Sequence, residues 1–287
     1  TRSIGPVPGT PRLTYTPWSQ LTWRPLNPIR MPISIHLSAE AERATVSMRC
    51  HRLAWWSPDR TSGGHVRLAV HDEGPAWFWC GLVAVGEPTV LVTDHAVPPP
   101  RSSGLEVRSS GLWAEVVVEE PGLHVSVGLE AFGVAVTDPE DAWRGGTDHQ
   151  FRGDRLAVGL DLGGEAVGEL PAGDSVPCRV VGEVLIADRA IPVDGWGWWD
   201  YQNAGGDPWS GPWTGVRARL DDGTWWAGRA ISTGEPVGRT PVLVADGGRP
   251  AIHVDRTLGP VATDGRPGFG WVETVVPVPD GQPQSPA

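Results

Sequence analysis

The sequence predicts an all-β protein, and three observations lead to this fold class. Short runs recur in which apolar residues alternate with polar or small ones, as they do from Leu156 to Leu162. Turn-forming sequences such as Glu120-Pro121-Gly122 and Asp221-Asp222-Gly223 separate these runs. No helical period bounded by capping residues stands out along the chain. Short strands joined by turns are typical of antiparallel barrels and sandwiches.

The predicted strands begin after a proline-rich lead-in. Residues 1–32 are rich in proline and show no periodicity, so we expect an extended segment there. The alternation then predicts strands at residues 33–36, 45–48, 65–70, 76–85, 90–92, 112–119, 124–132, 156–162, 179–186, 216–220, 224–231, 242–244, 251–254 and 271–276. The pairs 112–119 with 124–132, 216–220 with 224–231 and 242–244 with 251–254 are joined by turn sequences and are predicted hairpins.

The length of 287 residues suits one large β domain or two medium ones. Gly163-Gly164 and the turn sequence Pro171-Ala172-Gly173-Asp174 interrupt the strand pattern near the middle. We therefore expect one β unit at residues 33–170, a second at residues 171–276, and a frayed tail at residues 277–287.

Composition excludes several classes of function. The net charge of -11 argues against nucleic acid as a partner, because phosphate binding needs a basic surface. No apolar run is long enough to span a membrane, and the first residues lack the layout of a signal peptide, so we expect a soluble cytoplasmic protein. The three cysteines are far apart and are expected to be free and buried. The eight histidines form no metal-binding spacing, so no metal and no cofactor are predicted. The oligomeric state is left open.

Tryptophan is the outlier in the composition, with 16 residues against four Phe and two Tyr. The stretch from Gly195 to Trp209 combines four Trp and two Asp with four Gly and one Pro. Glycine adds flexibility to the backbone and contributes no side chain to a packed core. Large aromatic rings among glycines therefore favour the wall of a pocket that carries an acid, rather than an ordinary hydrophobic core.

Asp200, between Trp199 and Tyr201, is the candidate catalytic residue. Apolar surroundings raise the pKa of a carboxyl group and make a proton donor available near neutral pH. The alternative is an aspartate that orders a glycine-rich turn. Trp77 and Trp79 share one strand face and are candidates for the opposite wall, with a place in the core as their alternative. The predicted substrate contacts are Trp198, Trp199, Tyr201, Gln202, Asn203, Trp209, Trp77 and Trp79.

The segment from Val180 to Trp209 resembles the lipocalin-like superfamily of carotenoid 1,2-hydratases (hydroxyneurosporene synthases). In that superfamily an Asp-His-x-Trp-Gly signature follows a strand. Here Asp200-Tyr201-Gln202-Asn203-Ala204 occupies its place, with Asp207-Pro208-Trp209 beyond it. Tyr201 stands where the signature has His, and Asn203 stands where it has Trp. Only Asp200 is a like-for-like match.

The resemblance implies two lipocalin-like β units with an apolar cavity in or between them, a hydrophobic small-molecule substrate and no obligatory cofactor. It also implies a choice of chemistries. The first is acid-initiated alkene protonation, leading to hydration or cyclisation of a terpenoid or polyene, with Asp200 as the proton donor and Trp rings stabilising the cation. The alternatives are a pericyclase or isomerase that holds one conformer of a polyketide- or terpenoid-type substrate, and a non-catalytic carrier of a hydrophobic ligand.

Overall fold

The computed structural model describes residues 14–15, 48–100, 104–136, 138–139, 152–167, 175–204, 212–244 and 252–277. The described strands are, in chain order, β1 (Thr14–Tyr15), β2 (Met48–Trp56), β3 (Ser62–His71), β4 (Ala76–Ala84), β5 (Thr89–Val97), β6 (Leu105–Ser109), β7 (Leu112–Glu120), β8 (His124–Val136), β9 (Asp154–Ala166), β10 (Ser175–Ile186), β11 (Arg189–Ala204), β12 (Trp213–Leu220), β13 (Trp225–Gly228), β14 (Ile231–Ser232), β15 (Gly238–Arg239), β16 (Val242–Val244), β17 (Ile252–Thr263) and β18 (Arg266–Pro277). They confirm the predicted all-β class.

Eight strands close into an antiparallel barrel. Their order is β5-β4-β3-β2-β11-β10-β9-β8, and β5 in turn pairs with β8. This closing contact is short, joining residues 89–91 to residues 134–136, and the hairpin of β6 and β7 extends the sheet from the remainder of β8. Apart from that inserted hairpin, the strands follow one another up and down around the barrel.

Successive residues of a barrel strand point alternately inward and outward. On β2, Leu53 and Trp55 belong to the core inside the barrel, whereas Ala54 and Trp56 pack on the outside. The outside of this part of the barrel is covered by a second sheet, so β2, β3 and β4 are buried on both faces along most of their length. The predicted free, buried state of the three cysteines is confirmed.

The second sheet has eight strands, ordered β1-β13-β12-β18-β17-β14, with β15 and β16 also paired to β17. All its pairings are antiparallel except the parallel contact of β1 with β13. Tryptophans dominate the layer between this sheet and the barrel, among them Trp79, Trp198, Trp225 and Trp271. The indole N–H of Trp271 donates to the backbone oxygen of Trp55 over 2.9 Å, which ties the sheet to the barrel.

The three predicted hairpins are confirmed by β7 with β8, β12 with β13 and β16 with β17. The predicted strand at 33–36, most of the lead-in and all of the tail beyond 277 lie outside the described residues. The predicted division at residue 170 stays a prediction about domains. The chain passes from the barrel to the second sheet after residue 170. The strands β10 and β11 still belong to the barrel, and β12 is the first strand after them that belongs to the second sheet.

The stretch that begins at Gly195 is where the sequence interpretation was wrong about local structure. It lies in β11, a regular strand of 16 residues, up to Ala204. A Cβ on Gly195 would lie 2.3 Å from the backbone oxygen of Trp56, and one on Gly197 would lie 2.5 Å from that of Ala54. These two glycines therefore allow close approach of β2 instead of loosening the backbone.

Candidate functional site

Strand alternation along β11 separates the predicted site residues onto two faces. Trp199 and Tyr201 belong to the barrel interior, where Trp199 is part of the core cluster and Tyr201 packs against it. Trp198 points outward into the layer beneath the second sheet. Asp200 shares that outward direction and is buried there. The predicted acid therefore does not face the interior that holds Trp199 and Tyr201.

The carboxylate of Asp200 is saturated with hydrogen bonds. Its Oδ1 accepts from Nε of Arg217 over 2.9 Å and from the hydroxyl of Ser175. Its Oδ2 accepts from Nε of Arg52 over 2.6 Å and also from Nη2 of the same guanidinium. Burial by itself raises the pKa of Asp200, but the charges of Arg217 and Arg52 and the Ser175 hydrogen bond outweigh it and lower the pKa to about 2.

This environment is the opposite of the one that a proton donor needs. A carboxyl group with a pKa near 2 is ionised at neutral pH, and two guanidinium groups hold it in that form. The expected rise in the pKa of Asp200 is wrong, because the sequence did not show that arginines from β2 and β12 would meet it. The role of Asp200 in catalysis stays a prediction that this geometry does not support.

Glu273 on β18 extends the ionic network. It accepts from Nη1 of Arg67 over 2.9 Å, from Nε of Arg256 over 2.5 Å and from Nη1 of Arg52. Burial works against its ionised form, but the three guanidinium groups hold the pKa of Glu273 well below its usual range. Arg52 bonds to both acids and so links the barrel to the second sheet.

Trp199 and Tyr201 line a cavity of about 550 Å³ at one end of the barrel, called here the Trp199 cavity. Its volume lies within the range of small-molecule sites. The full lining is Arg49, His51, Gly104, Leu105, Glu115, Val116, Val117, Val118, Pro121, Gly122, Val176, Trp199 and Tyr201. Valines and aromatic rings supply most of the wall, and Arg49 and Glu115 are the charged members.

Two residues of this lining each carry a buried polar atom, Nδ1 of His51 and Nε1 of Trp199, that has no hydrogen-bond partner in the described part of the chain. The ring of His51 lies 4.9 Å from that of Tyr201, measured between centroids. Burial, and then the charge of Arg49, lowers the pKa of His51 to about 4, so the imidazole is neutral at physiological pH. Unpartnered buried donors and acceptors are uncommon in folded proteins, and bound water or a ligand can supply the missing partner.

A second cavity, of about 670 Å³, lies at the opposite end of the barrel and is called here the Trp55 cavity. Along β2, Trp55 faces this cavity and His51 faces the Trp199 cavity, with the core residue Leu53 between them. On β10, Val184 lines the Trp55 cavity and Val176 lines the other, with Val180 buried between. The barrel thus has a cavity at each of two ends and is packed in the middle.

A family model described as "Domain of unknown function (DUF7064)" matches residues 51–201, which is just over half of the chain. The chain belongs to the DUF7064 family. The matched DUF7064 segment runs from His51 on β2 to Tyr201 on β11, so it covers most of the barrel and every residue of the Trp199 cavity lining except Arg49. The predicted resemblance to carotenoid 1,2-hydratases stays a prediction.

Three solved structures are similar in outline to this DUF7064 protein. The crystal structure of CghA is 9% identical, with 83% of this chain and 90% of that chain covered and a TM-score of 0.43. CghA with Sch210972 gives the same identity and coverage with a TM-score of 0.42. A candidate AttH protein from Nitrosomonas europaea is 13% identical, with 88% and 100% covered and a TM-score of 0.31. No curated protein matches the chain. These likenesses are distant and carry no assignment of function.

The remaining predicted site residues of the DUF7064 chain are dispersed. Trp77, Trp79 and Trp198 lie in the layer between barrel and second sheet, so the structure does not bring them together with Trp199 and Tyr201. The backbones of Gln202 and Asn203 pair with residues 50 and 49 of β2. Trp209 lies outside the described residues. Their roles as substrate contacts stay predictions.

Sequence reasoning missed the residues that complete the site. His51 was counted only among scattered histidines, although its alternation with Leu53 and Trp55 places it on the interior face of β2. Arg52 and Arg217 carried no motif, and their pairing with Asp200 spans 148 and 17 residues of sequence. Among the described residues, no group of three or more His, Cys, Asp or Glu side chains is placed to hold a metal ion, and no helix is long and apolar enough to cross a bilayer.

Proposed function

We propose that this protein binds a hydrophobic small molecule of the terpenoid, polyene or polyketide type in the Trp199 cavity and needs no cofactor to do so. The expected ligand is mainly apolar and carries an oxygen that accepts a hydrogen bond from Nε1 of Trp199. The observation that carries the proposal is a cavity of about 550 Å³ whose wall includes Trp199, a residue whose indole N–H is buried and has no partner among the described residues.

The chemistry of the wall supports a ligand of this kind. Val116, Val118 and Val176 offer apolar surface, and the rings of Trp199 and Tyr201 offer flat faces for conjugated or cyclic groups. A ligand without any acceptor would leave the Trp199 N–H unpaired and lose the contribution of a buried hydrogen bond. The cavity therefore favours an oxygenated ligand over its hydrocarbon analogue.

The geometry favours binding, or confinement of a reactive conformer, over alkene protonation by Asp200. The carboxylate of Asp200 lies on the outward face of β11 and is ionised, so it has neither the direction nor the proton for that step. A pericyclase or isomerase needs only a shaped cavity and polar groups that hold a carbonyl. His51 and Trp199 supply such groups, with one neutral imidazole and one indole N–H on the same lining.

The test compares an all-trans polyene aldehyde with the corresponding hydrocarbon, each titrated into wild type and Trp199→Phe. Phenylalanine keeps an aromatic face and removes the N–H donor. We expect the variant to bind the aldehyde about tenfold more weakly and to bind the hydrocarbon with unchanged affinity. Trp113→Phe is the matched control, because the Trp113 N–H donates to Glu106 and the residue is not part of the cavity lining.

Equal losses for both compounds, or no binding of either by wild type, would count against the proposal. Mass spectrometry of the same incubations in heavy water separates carrier from enzyme. An unchanged compound indicates a carrier, and a product of unchanged mass without deuterium indicates an isomerase or pericyclase. A product with one added deuterium would restore the protonation mechanism if Asp200→Asn fails to form it while its circular dichroism shows that it is still folded.

A further inference from the structure

The Trp55 cavity is apolar inside. It encloses about 670 Å³, a volume that suits a small organic molecule. Apolar side chains that belong to or pack against the barrel core form much of its wall, among them Trp55, Leu82, Val90, Leu156, Val184 and Ile191. An apolar chain or ring that enters this space leaves water, and that transfer favours binding.

Trp55 lies where this cavity meets the packed middle of the barrel. Leu53, which points the same way two residues earlier on β2, is part of the core. Gly64 pairs with Trp55 across β2 and β3, and a Cβ at Gly64 would collide with the indole ring. The glycine therefore lets the ring lie across β3, where it offers a flat apolar surface at the inner end of the cavity.

The charged residues of the lining are exposed and so mark the mouth of the cavity. Four of them are acidic and one is basic, namely Asp59, Glu87, Asp188, Asp194 and Arg189. The Trp199 cavity, by contrast, has one charged residue of each sign on its lining. The two ends of the barrel therefore differ in charge.

Ion pairs account for two of the four acids at the mouth. Arg189, at the start of β11, and Glu87, between β4 and β5, approach to 3.4 Å. These two places are on opposite sides of the barrel, so the pair spans the mouth. Asp194 pairs over 2.8 Å with Arg179, which is not part of the lining. Such exposed pairs are weak and exchange readily with water, so the pair across the mouth does not bar entry.

The other two acids have no cationic partner in the described part of the chain. Asp59 accepts from the hydroxyls of Ser57 and Thr61 over 2.5 and 2.8 Å, and these hydrogen bonds hold its pKa below the usual range. Asp188 lies in the turn between β10 and β11 and bonds to no cation among the described residues. Two carboxylates beside an apolar cavity attract a positive charge to its mouth.

We propose that the Trp55 cavity is a second binding site, which takes a molecule with an apolar tail and one positively charged head, of the alkylamine class. The tail occupies the apolar interior down to Trp55, and the head stays at the mouth beside Asp59 and Asp188. This site is separate from the Trp199 cavity and does not depend on the function proposed there.

The first test compares decylamine, decanol and decanoate, each titrated into the wild-type protein by calorimetry at pH 7 and below its micelle concentration. The three share one tail and carry a positive, a neutral and a negative head. We expect decylamine to bind at least about fivefold more tightly than decanol, and decanoate to bind most weakly. The preference for the amine should shrink as salt is raised from about 10 mM to about 500 mM.

Asp188→Asn tests the charge at the mouth. We expect it to weaken decylamine binding about threefold and to leave decanol binding unchanged. Asp264→Asn is the matched control, because Asp264 is also an exposed aspartate in a hairpin turn, between β17 and β18, and is not part of this lining. It should bind all three compounds as the wild type does.

Ile191→Trp and Val118→Trp locate the tail, since the first residue lines the Trp55 cavity and the second lines the Trp199 cavity. We expect only Ile191→Trp to weaken decylamine binding, by about tenfold or more. Equal affinities for the three compounds, no binding of decylamine, or a loss confined to Val118→Trp would overturn the proposal. If Ile191→Trp fails to fold, the head-group series and the two aspartate variants still decide it.

Discussion

Arg52 and Asp200 lie directly opposite each other on the adjacent strands β2 and β11, and Nε of Arg52 donates to Oδ2 of Asp200 over 2.6 Å. A slip of one residue between these strands would turn one partner to the other face of the sheet and break this buried pair. The pair therefore helps to fix the register that places Trp199 inside the barrel. Asp200, the candidate catalytic residue of the sequence analysis, thus has a structural role in this pair.

Asp200→Asn should strongly destabilise the protein. The substitution keeps the size of the side chain but leaves Arg52 and Arg217 without their shared counter-charge. We expect a loss of about 3–5 kcal/mol in the free energy of unfolding, the range found when one partner of a buried ion pair is removed. Urea denaturation measures it. Asp194→Asn, which breaks the exposed pair with Arg179, should cause no measurable change, and similar values for both variants would contradict this account.

His51 should make stability depend on pH between about 6.5 and about 4. Its pKa is lowered to about 4 in the folded protein, so the unfolded chain binds the proton more tightly. The stability contributed by neutral His51 is fully present above the pKa of His51 in the unfolded chain. It is lost as the pH falls through the pKa in the folded protein, and the free energy of unfolding decreases by roughly 3 kcal/mol in total.

Urea denaturation of wild type and His51→Gln across this pH range checks that sign. The free energy of unfolding of the wild type should fall relative to that of His51→Gln as the pH falls, because only the wild type carries the titrating group. Parallel curves would show that His51 is not held neutral by the fold.

Gly197→Ala should destabilise the barrel. The added Cβ would lie 2.5 Å from the backbone oxygen of Ala54 and 2.7 Å from Cγ2 of Val180, so β2 and β11 would have to move apart. Gly163→Ala on β9 is the matched control, because its nearest neighbour would be 3.6 Å away. We expect a lower melting temperature for the first variant only, and equal melting temperatures would refute the close-approach argument.

Filling one cavity at a time should show which end of the barrel binds the ligand. Val118 lines the Trp199 cavity and Ile191 lines the Trp55 cavity, and both are partly buried. We expect Val118→Trp to weaken binding of the polyene aldehyde by about tenfold or more, because the larger side chain takes up ligand space. Ile191→Trp should bind the aldehyde as wild type does. The reverse result would move the proposed site to the Trp55 cavity.

The strands and hairpins could be read from the sequence because their signals are local. The Glu120-Pro121-Gly122 turn lies between β7 and β8, and the alternation from Leu156 to Leu162 runs along β9. β11 was missed as a strand because its glycines looked like loop residues. Glycine is needed at positions 195 and 197 because β2 approaches closely there. The backbone oxygens of Trp56 and Ala54 leave no room for a Cβ.

The predicted site residues divide between two faces of β11, and their roles stay predictions. Trp199 and Tyr201 line a cavity, whereas Trp198, also predicted to contact the substrate, lies on the opposite face of β11. The sequence could not show what packs against each face of a barrel strand. The outer face is buried only because a second sheet, formed by residues far along the chain, covers it. Trp77 and Trp79 illustrate this, since the strands that bury them, β16, β17 and β18, follow more than 150 residues later.

The sequence by itself determined the all-β class, the turns, and the side of each strand on which a residue lies, because these depend on neighbours within a few residues. Only the tertiary structure decided which side became a cavity and which became an ionic layer. Arg52 meets Glu273 across 221 residues of sequence, and that contact exists only when the second sheet covers the barrel. The ionisation of Asp200 depends on the same packing, since its charge is stabilised by arginines that no local pattern places beside it.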